Sequence, residues 1–203
     1  MSKKGILVVF SGPSGAGKGT ILAEYLSRRP QTVYSISATT RSPRPGEVDG
    51  VHYHFVTREA FEEMIAQGEV IEYTEYNGNY YGSPTAPIRR ELERGNDVIL
   101  EIEVKGAQQV RAKFPDALSI FVMPPTFEEL RRRLTGRGTE SDQQIRARLQ
   151  TARVEVAMAP DYDYIVVNDV VSDAADRLGY IIESARCSKK FNQEFIREIL
   201  SQA

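Results

Sequence analysis

"ILVVFSGPSGAGKGTILAEYL", residues 6–26, is the stretch that decides the fold. Ile6 to Phe10 is an unbroken apolar run of strand length, the pattern of a central parallel strand buried on both faces. It stops at a Gly/Pro/Ser cluster, and from Lys18 the residues Ile21, Leu22, Tyr25 and Leu26 recur at helical spacing. Between strand and helix, Gly12 opens and Gly17-Lys18 closes a G-x-x-x-x-G-K pattern, in the context a phosphate-binding loop requires. Glycines let backbone N–H groups converge on phosphate oxygens, and the helix N-terminus adds its positive end. Gly12, Pro13, Ser14, Gly15, Ala16, Gly17, Lys18, Gly19 and Thr20 are the expected cradle of a nucleoside triphosphate, with Lys18 reaching its terminal phosphates. One letter departs from the usual pattern. The residue after the lysine is ordinarily Ser or Thr, whose hydroxyl helps hold Mg²⁺; here it is Gly19, and the hydroxyl arrives one place late at Thr20.

Further along, Asp97–Val104, Ala117–Met123 and Asp163–Asn168 read as buried strands. Glu128–Leu134, Asp142–Ala157, Asp173–Ala185 and Asn192–Leu200 read as helices, so strands and helices alternate as in an α/β layered fold with a parallel sheet. Residues 37 to about 91 break that rhythm with alternating patterns such as VHYHFV and VIEYTEY, and with a hairpin-type Asn77-Gly78 dipeptide. They read as a small mixed lobe inserted after the second strand. Residues 128–153 break it differently: seven Arg, no Lys and four acids make this segment +3 against −5 for the remainder. A patch built only of arginine points to geometry-dependent phosphate recognition.

The bulk numbers narrow the class. With 203 residues and 41% hydrophobic content there is material for one well-buried core with small inserted lobes. A net charge of −2 gives no global basic field for nucleic acid or an anionic membrane surface. The one cysteine, Cys187, excludes an intramolecular disulfide, and a cytoplasmic compartment is expected. The apolar run near the N-terminus is too short for a signal peptide or a bilayer span.

Other residues carry chemistry by type and place. Arg41 and Arg44 stand three apart on a loop stiffened by Pro43 and Pro45, where they could fork a second phosphate; a solvated Pro-rich loop is the bland alternative. Glu72, Tyr81, Ser83, Glu101 and Glu103 supply carboxylates and hydroxyls. Alternation of Glu101 and Glu103 with Leu100, Ile102 and Val104 predicts that both acids share one strand face, near the end where open α/β sheets place ligands. His52 and His54 lack the companions of a zinc site. Cys187 reads as a packing residue, and at least one of Arg131–Arg133 as a solvated helix face.

The motifs SGPSGAGKGT, SATTRSPRPGEVDGVHYHFV, VIEYTEYNGNYYGS, ILEIEVKGA, RLTGRGTES and IVVND occur in the order found in guanylate kinases, and the chain resembles that family of P-loop nucleoside monophosphate kinases over nearly its whole length. The resemblance implies a three-layer core with a five-stranded parallel sheet (residues 1–36, 92–126 and 159–203), a GMP-binding lobe (37–91) and a helical lid (127–158), within one domain over about 4–185. It implies that Ser37, Arg41, Arg44, Tyr53 and Tyr81 bind the GMP phosphate or line its site. Glu72 and Ser83 would read guanine, and Glu101 and Glu103 would lie near guanine and Mg²⁺. Aspartate is common at the second of these positions, so Glu103 is a departure of one methylene. Lys18, Arg41, Arg137 and Arg148 would be catalytic, the last two as lid arginines over the ATP phosphates, and Asn168 would lie beside the adenine. The implied reaction is ATP + GMP ⇌ ADP + GDP, with dGMP as a second acceptor and Mg²⁺ entering with ATP. ATP and GMP are the expected partners, with neither nucleic acid nor membrane, in a monomer or small homo-oligomer. A P-loop kinase acting on another phosphorylated acceptor is one rival; a guanylate-kinase-like binding module is another.

Overall fold

The computed structural model describes residues 4–136 and 142–202. In chain order the elements are β1 (Leu7–Ser11), α1 (Lys18–Ser27), β2 (Thr32–Tyr34), β3 (Ala38–Thr39), β4 (His54–Phe55), α2 (Arg58–Ala66), β5 (Val70–Tyr76), β6 (Asn79–Pro84), α3 (Thr85–Glu93), β7 (Asp97–Glu101), α4 (Val104–Lys113), β8 (Leu118–Met123), α5 (Phe127–Thr135), α6 (Asp142–Val156), β9 (Tyr164–Val167), α7 (Val171–Arg186) and α8 (Gln193–Leu200). The α/β fold with its five-stranded sheet, in the order β2-β7-β1-β8-β9, is the one the sequence predicts. Strand β2 pairs parallel with β7, and β8 with β9. Every residue of β1 is buried, as a central parallel strand requires. Among the described residues no helix is long and apolar enough to cross a membrane.

The chain divides into two compact units, one holding the residues before Phe10 with Gln31–Ala117, the other Phe10–Pro30 with Leu118 onward. Strand β1 contributes residues to both. In the first unit a second, four-stranded sheet has the order β4-β3-β6-β5. The predicted hairpin is its β5–β6 pair, which turns at Asn77 (φ 49) and Gly78 (φ 74), the left-handed pair a tight two-residue turn demands. In the second unit α1 packs on α7, and Leu130 and Leu134 of α5 bury themselves with Ala152 and Leu149 of α6.

Two expectations need correction. Strand β7 stops at Glu101, and Glu103 is the N-cap of α4 rather than a strand residue. Val104 belongs to a helical series with Ala107 and Val110, all three buried, and that series overrides the short alternation that reads as strand. Glu101 and Glu103 therefore do not share a strand face. VHYHFV is also less regular than its alternation: only His54–Phe55 forms a strand, because Gly50 (φ 72) turns the chain just before it. Helices α2, α3 and α4 are absent from the sequence reading, although Thr57, whose hydroxyl accepts the Ala60 N–H at 3.2 Å, is an ordinary N-cap signal.

Candidate active site

In the second unit, the chain leaves β1 through Gly12 (φ 147), Gly15 (φ 87) and Gly17 (φ 88) before α1 opens at Lys18. Side chains rarely adopt these angles, and at Gly12 and Gly17 a side chain would also collide with its neighbours. A Cβ on Gly12 would run into the Val122 carbonyl, and one on Gly17 into the Asn168 amide. No side chain caps the N-terminus of α1 and its first turn carries no acid, so its positive end faces no built-in anion. The Lys18 ammonium lies back across the loop, donating to the Gly12 carbonyl at 2.7 Å and the Pro13 carbonyl at 3.3 Å. Gly19, unlike the three glycines before it, sits inside the helix without a positive φ.

The loop is gripped from one side. Asn168, 2% exposed, donates its Nδ2 to the Ala16 carbonyl at 2.8 Å. Arg133 donates Nη1 to the same carbonyl at 3.3 Å, Nη2 to the Asn168 carbonyl at 2.9 Å and Nε to Glu129 at 2.7 Å. Of the arginine triplet, Arg131 and Arg132 are exposed while Arg133 is half-buried and structural. Next to the loop lies a cavity of about 570 Å³, bordered by Gly17, Thr20, Pro125, Arg132, Arg133 and Asn168 among others. Asn168 thus borders the cavity, with its amide nitrogen committed to the loop. Arg148 is half-buried on α6. Arg137 lies outside the described residues.

The first unit holds the other set. Glu72 and Ser83 face each other across β5 and β6, and the Ser83 hydroxyl donates to Glu72 Oε1 at 2.8 Å. They are 4% and 1% exposed. Burial pushes the Glu72 carboxyl up to about 7, against the opposing pull of the Ser83 hydrogen bonds and the Lys113 charge. The two oxygens of a carboxylate offer about four lone-pair sites, so Glu72 keeps acceptor capacity for a ligand bearing N–H groups.

Arg41, Tyr53 and Tyr81 are also brought together. The Arg41 guanidinium lies 5.4 Å from the Tyr53 ring centroid, and the Tyr53 and Tyr81 rings meet edge-on with centroids 6.1 Å apart. Arg41 is already forked: Nη1 and Nη2 donate to Glu47 at 2.8 and 2.9 Å, and Nη1 also to the Ser42 carbonyl at 2.8 Å. The backbone N–H of Arg44 donates to the same Glu47 carboxylate at 2.7 Å, while the Arg44 side chain is exposed. The Arg41 fork and the Arg44 N–H hold the Glu47 carboxyl down at about 2. Ser37 is half-buried and its carbonyl accepts the His54 N–H at 2.9 Å. Glu101, at the end of β7, accepts from the Tyr34 hydroxyl at 3.3 Å, and the exposed Glu103 makes no side-chain capping bond to its helix. His52 accepts the Val48 N–H on Nδ1 at 3.0 Å, and Cys187 is exposed at the end of α7.

Sequence reasoning missed Glu47 and Arg133. Glu47 carries a signal, an acid three residues past Arg44 in a Pro-stiffened loop. Arg133 does not, because nothing in RRR marks which arginine turns inward.

Comparison with known proteins gives one answer. A family model described as guanylate kinase matches residues 4–185. The chain is 52% identical over 186 residues to the guanylate kinase of Desulfitobacterium hafniense, covering 92% of this chain and 93% of that protein. It is 54% identical over 185 residues to the guanylate kinase of Streptococcus pneumoniae, covering 91% and 89%. Among solved structures it is similar to the guanylate kinase of Anaplasma phagocytophilum, with a TM-score of 0.75 at 33% identity over 93% of this chain and 89% of that one.

Proposed function

The chain belongs to the guanylate kinase family and is an ATP:GMP phosphotransferase, and from that premise we propose which of its residues carry each substrate. The observation that carries the assignment is the buried Glu72–Ser83 pair. A guanine edge offers N1–H and N2–H₂ as donors, both of which one carboxylate can accept, and an O6 acceptor to which the Ser83 hydroxyl can donate once it turns from Glu72 Oε1. Adenine lacks that donor pair, so AMP would leave the buried carboxylate unpaired, a mismatch that discriminates strongly. Arg41, Arg44, Ser37, Tyr53 and Tyr81 take the acceptor phosphate. Glu47 sets the approach: it fills the end of the Arg41 fork, so the phosphate must meet the rest of the guanidinium, beside Tyr81.

The donor phosphates take the glycine loop, the free N-terminus of α1 and Lys18, which swings from the Gly12 and Pro13 carbonyls onto the phosphate oxygens. The cavity beside the loop receives the adenosine, with Asn168 at its wall. Arg137 and Arg148 serve the transferring group from the lid segment 127–158, whose closure excludes water and suppresses ATP hydrolysis. The acceptor is a phosphate oxygen, largely ionised near neutral pH because its second pKa is about 6. No general base is needed, so catalysis rests on positioning and charge stabilisation. Mg²⁺, arriving with ATP, supplies further charge neutralisation at the phosphates. The residues fit such an ion: Mg²⁺ keeps several waters and takes one or two carboxylates. Glu101 and the exposed carboxylate of Glu103 would be the carboxylates this chain offers to such an ion.

Acceptor assays over GMP, dGMP, AMP, UMP and dTMP test the reading. GMP and dGMP should be the acceptors used, with Glu72→Gln erasing their advantage. If AMP or a pyrimidine nucleotide serves better than GMP, the assignment of Glu72 and Ser83 fails.

A further inference from the structure

Glu72 does not hold its position alone. The β5–β6 register shifts between Val70 and Glu72, the kind of irregularity that re-aims a side chain at a site. Strand β5 is also an edge of its sheet, so its outward backbone groups have no strand to bond. Helix α4 supplies the partners from one face. Gln109 acts as a strand mimic at Tyr73, its Oε1 accepting the Tyr73 N–H at 3.2 Å and its Nε2 donating to the Tyr73 carbonyl at 2.8 Å. Lys113 donates to the Ile71 carbonyl at 3.0 Å. Both backbone neighbours of Glu72 are therefore fastened to α4. One turn before Gln109, Gly106 lies against the carboxylate itself: a Cβ there would overlap Glu72 Oε2, with Cδ 3.2 Å away. Residues 106, 109 and 113 fall on one side of a helix, and all three meet the strand segment Ile71–Tyr73.

We propose that Gly106, Gln109 and Lys113 form a cradle that sets the position of the Glu72 carboxylate, making them positioning residues for guanine selection. The inference rests on Glu72 being the guanine reader. Gly106 gives the carboxylate its room, while Gln109 and Lys113 fix the backbone from which it projects. Displacing a carboxylate that must meet two N–H groups at once weakens the guanine contact without touching the transferring phosphate. Loss of the cradle should therefore appear in KM for GMP and in base selectivity rather than in kcat.

Gly106→Ala is the sharpest variant, because alanine is a better helix former than glycine. If Gly106 had no part in placing the carboxylate, this variant would show an unchanged or higher Tm with unchanged kinetics. The cradle predicts a folded enzyme whose KM for GMP rises about tenfold while kcat stays within about twofold. Gln109→Met, of similar length but without the amide, should do the same, and Lys113→Arg should do less harm than Lys113→Met. The companion measurement is the ratio of kcat/KM for GMP to that for inosine monophosphate, which lacks the exocyclic amino group. It should fall in Gly106→Ala and Gln109→Met, and fall furthest in Glu72→Gln. If Glu72→Gln lowers the ratio but Gly106→Ala and Gln109→Met keep wild-type KM and selectivity, the cradle is wrong and the guanine reading stands. The cradle is overturned equally if these variants lose Tm and kcat with no change in selectivity. If Glu72→Gln itself keeps the ratio, the guanine reading falls and the cradle falls with it.

Discussion

The donor site we propose is made of backbone, whereas the proposed acceptor site is made of side chains held by other side chains. At Gly12 and Gly17 there is no room for a Cβ, and in the proposed donor site N–H groups and a helix end present the charge. At Glu72 and Arg41 the groups assigned to the acceptor are ionisable and have local partners, Ser83 for one and Glu47 for the other. A backbone site has little to lose from most substitutions outside its glycines and its one lysine. A side-chain site can be damaged from the positions that aim it.

Lys18→Ala should have the largest effect, since Lys18 is the one full positive charge that the loop itself presents. Turnover is expected to fall by about 10³-fold or more, with Tm close to the parent because the loop carbonyls that Lys18 bonds can also be served by water. Normal turnover in a folded Lys18→Ala would break the donor side of the comparison outright.

Glu72→Gln comes next, with a fall in kcat/KM for GMP of about 10²-fold. It also has a signature in stability. The folded pKa of Glu72, about 7, lies above its ordinary 4.5. The stability this group contributes is therefore fully present below about pH 4.5 and is lost as pH rises through 7. Glutamine suffers no such loss. Chemical denaturation across pH should show the variant gaining on the parent between pH 4.5 and about 7.5, then a plateau, with a total gain of at most about 3 kcal/mol. A variant less stable than the parent at pH 8.5 would show that the carboxylate is better solvated or paired than its burial implies.

Glu47→Ala should do less again. Freed from its fork, Arg41 remains next to Tyr53 and Phe55, but its guanidinium is no longer aimed and the Arg44 N–H loses its acceptor. A rise of about tenfold in KM for GMP with little change in kcat is the expected result. A fall in KM would instead make Glu47 a competitor for the phosphate position.

The same contrast explains what the sequence discloses. The donor loop is legible because a glycine forced by positive φ leaves its letter in the chain, and because a strand and a helix flank it at fixed spacing. The hairpin is legible for the same reason at Asn77-Gly78. For the acceptor site, residue types in motif order name Glu72, Ser83 and Arg41, but not what braces them. Gln109 and Lys113 look like ordinary polar residues of an amphipathic helix, and even that helix is obscured by the alternation of Leu100 to Val104. Contacts such as Gln109 to Tyr73, 36 residues apart, leave no local trace. Glu103 falls on the wrong element in the sequence reading because period two and period 3.6 agree over so short a run.

Gly19→Ser should have the smallest effect, and it probes the one letter that departs from the usual phosphate-loop pattern. Gly12, Gly15 and Gly17 are held at positive φ, but Gly19 is not; it is the second residue of α1 and it is exposed. A serine there meets no backbone strain, and its helix propensity exceeds that of glycine by about a few tenths of a kcal/mol. The added hydroxyl would matter only if the metal lacked a ligand. Mg²⁺ on ATP phosphates fills its remaining positions with water, so kcat/KM is expected to stay within about threefold of the parent, a free-energy change of about 0.6 kcal/mol. Titrating Mg²⁺ at fixed ATP sharpens the test. A serine that shifted the Mg²⁺ requirement and raised turnover about tenfold would mean that the loop is short of a metal ligand, and that the donor site, like the acceptor site, depends on a side chain to aim it.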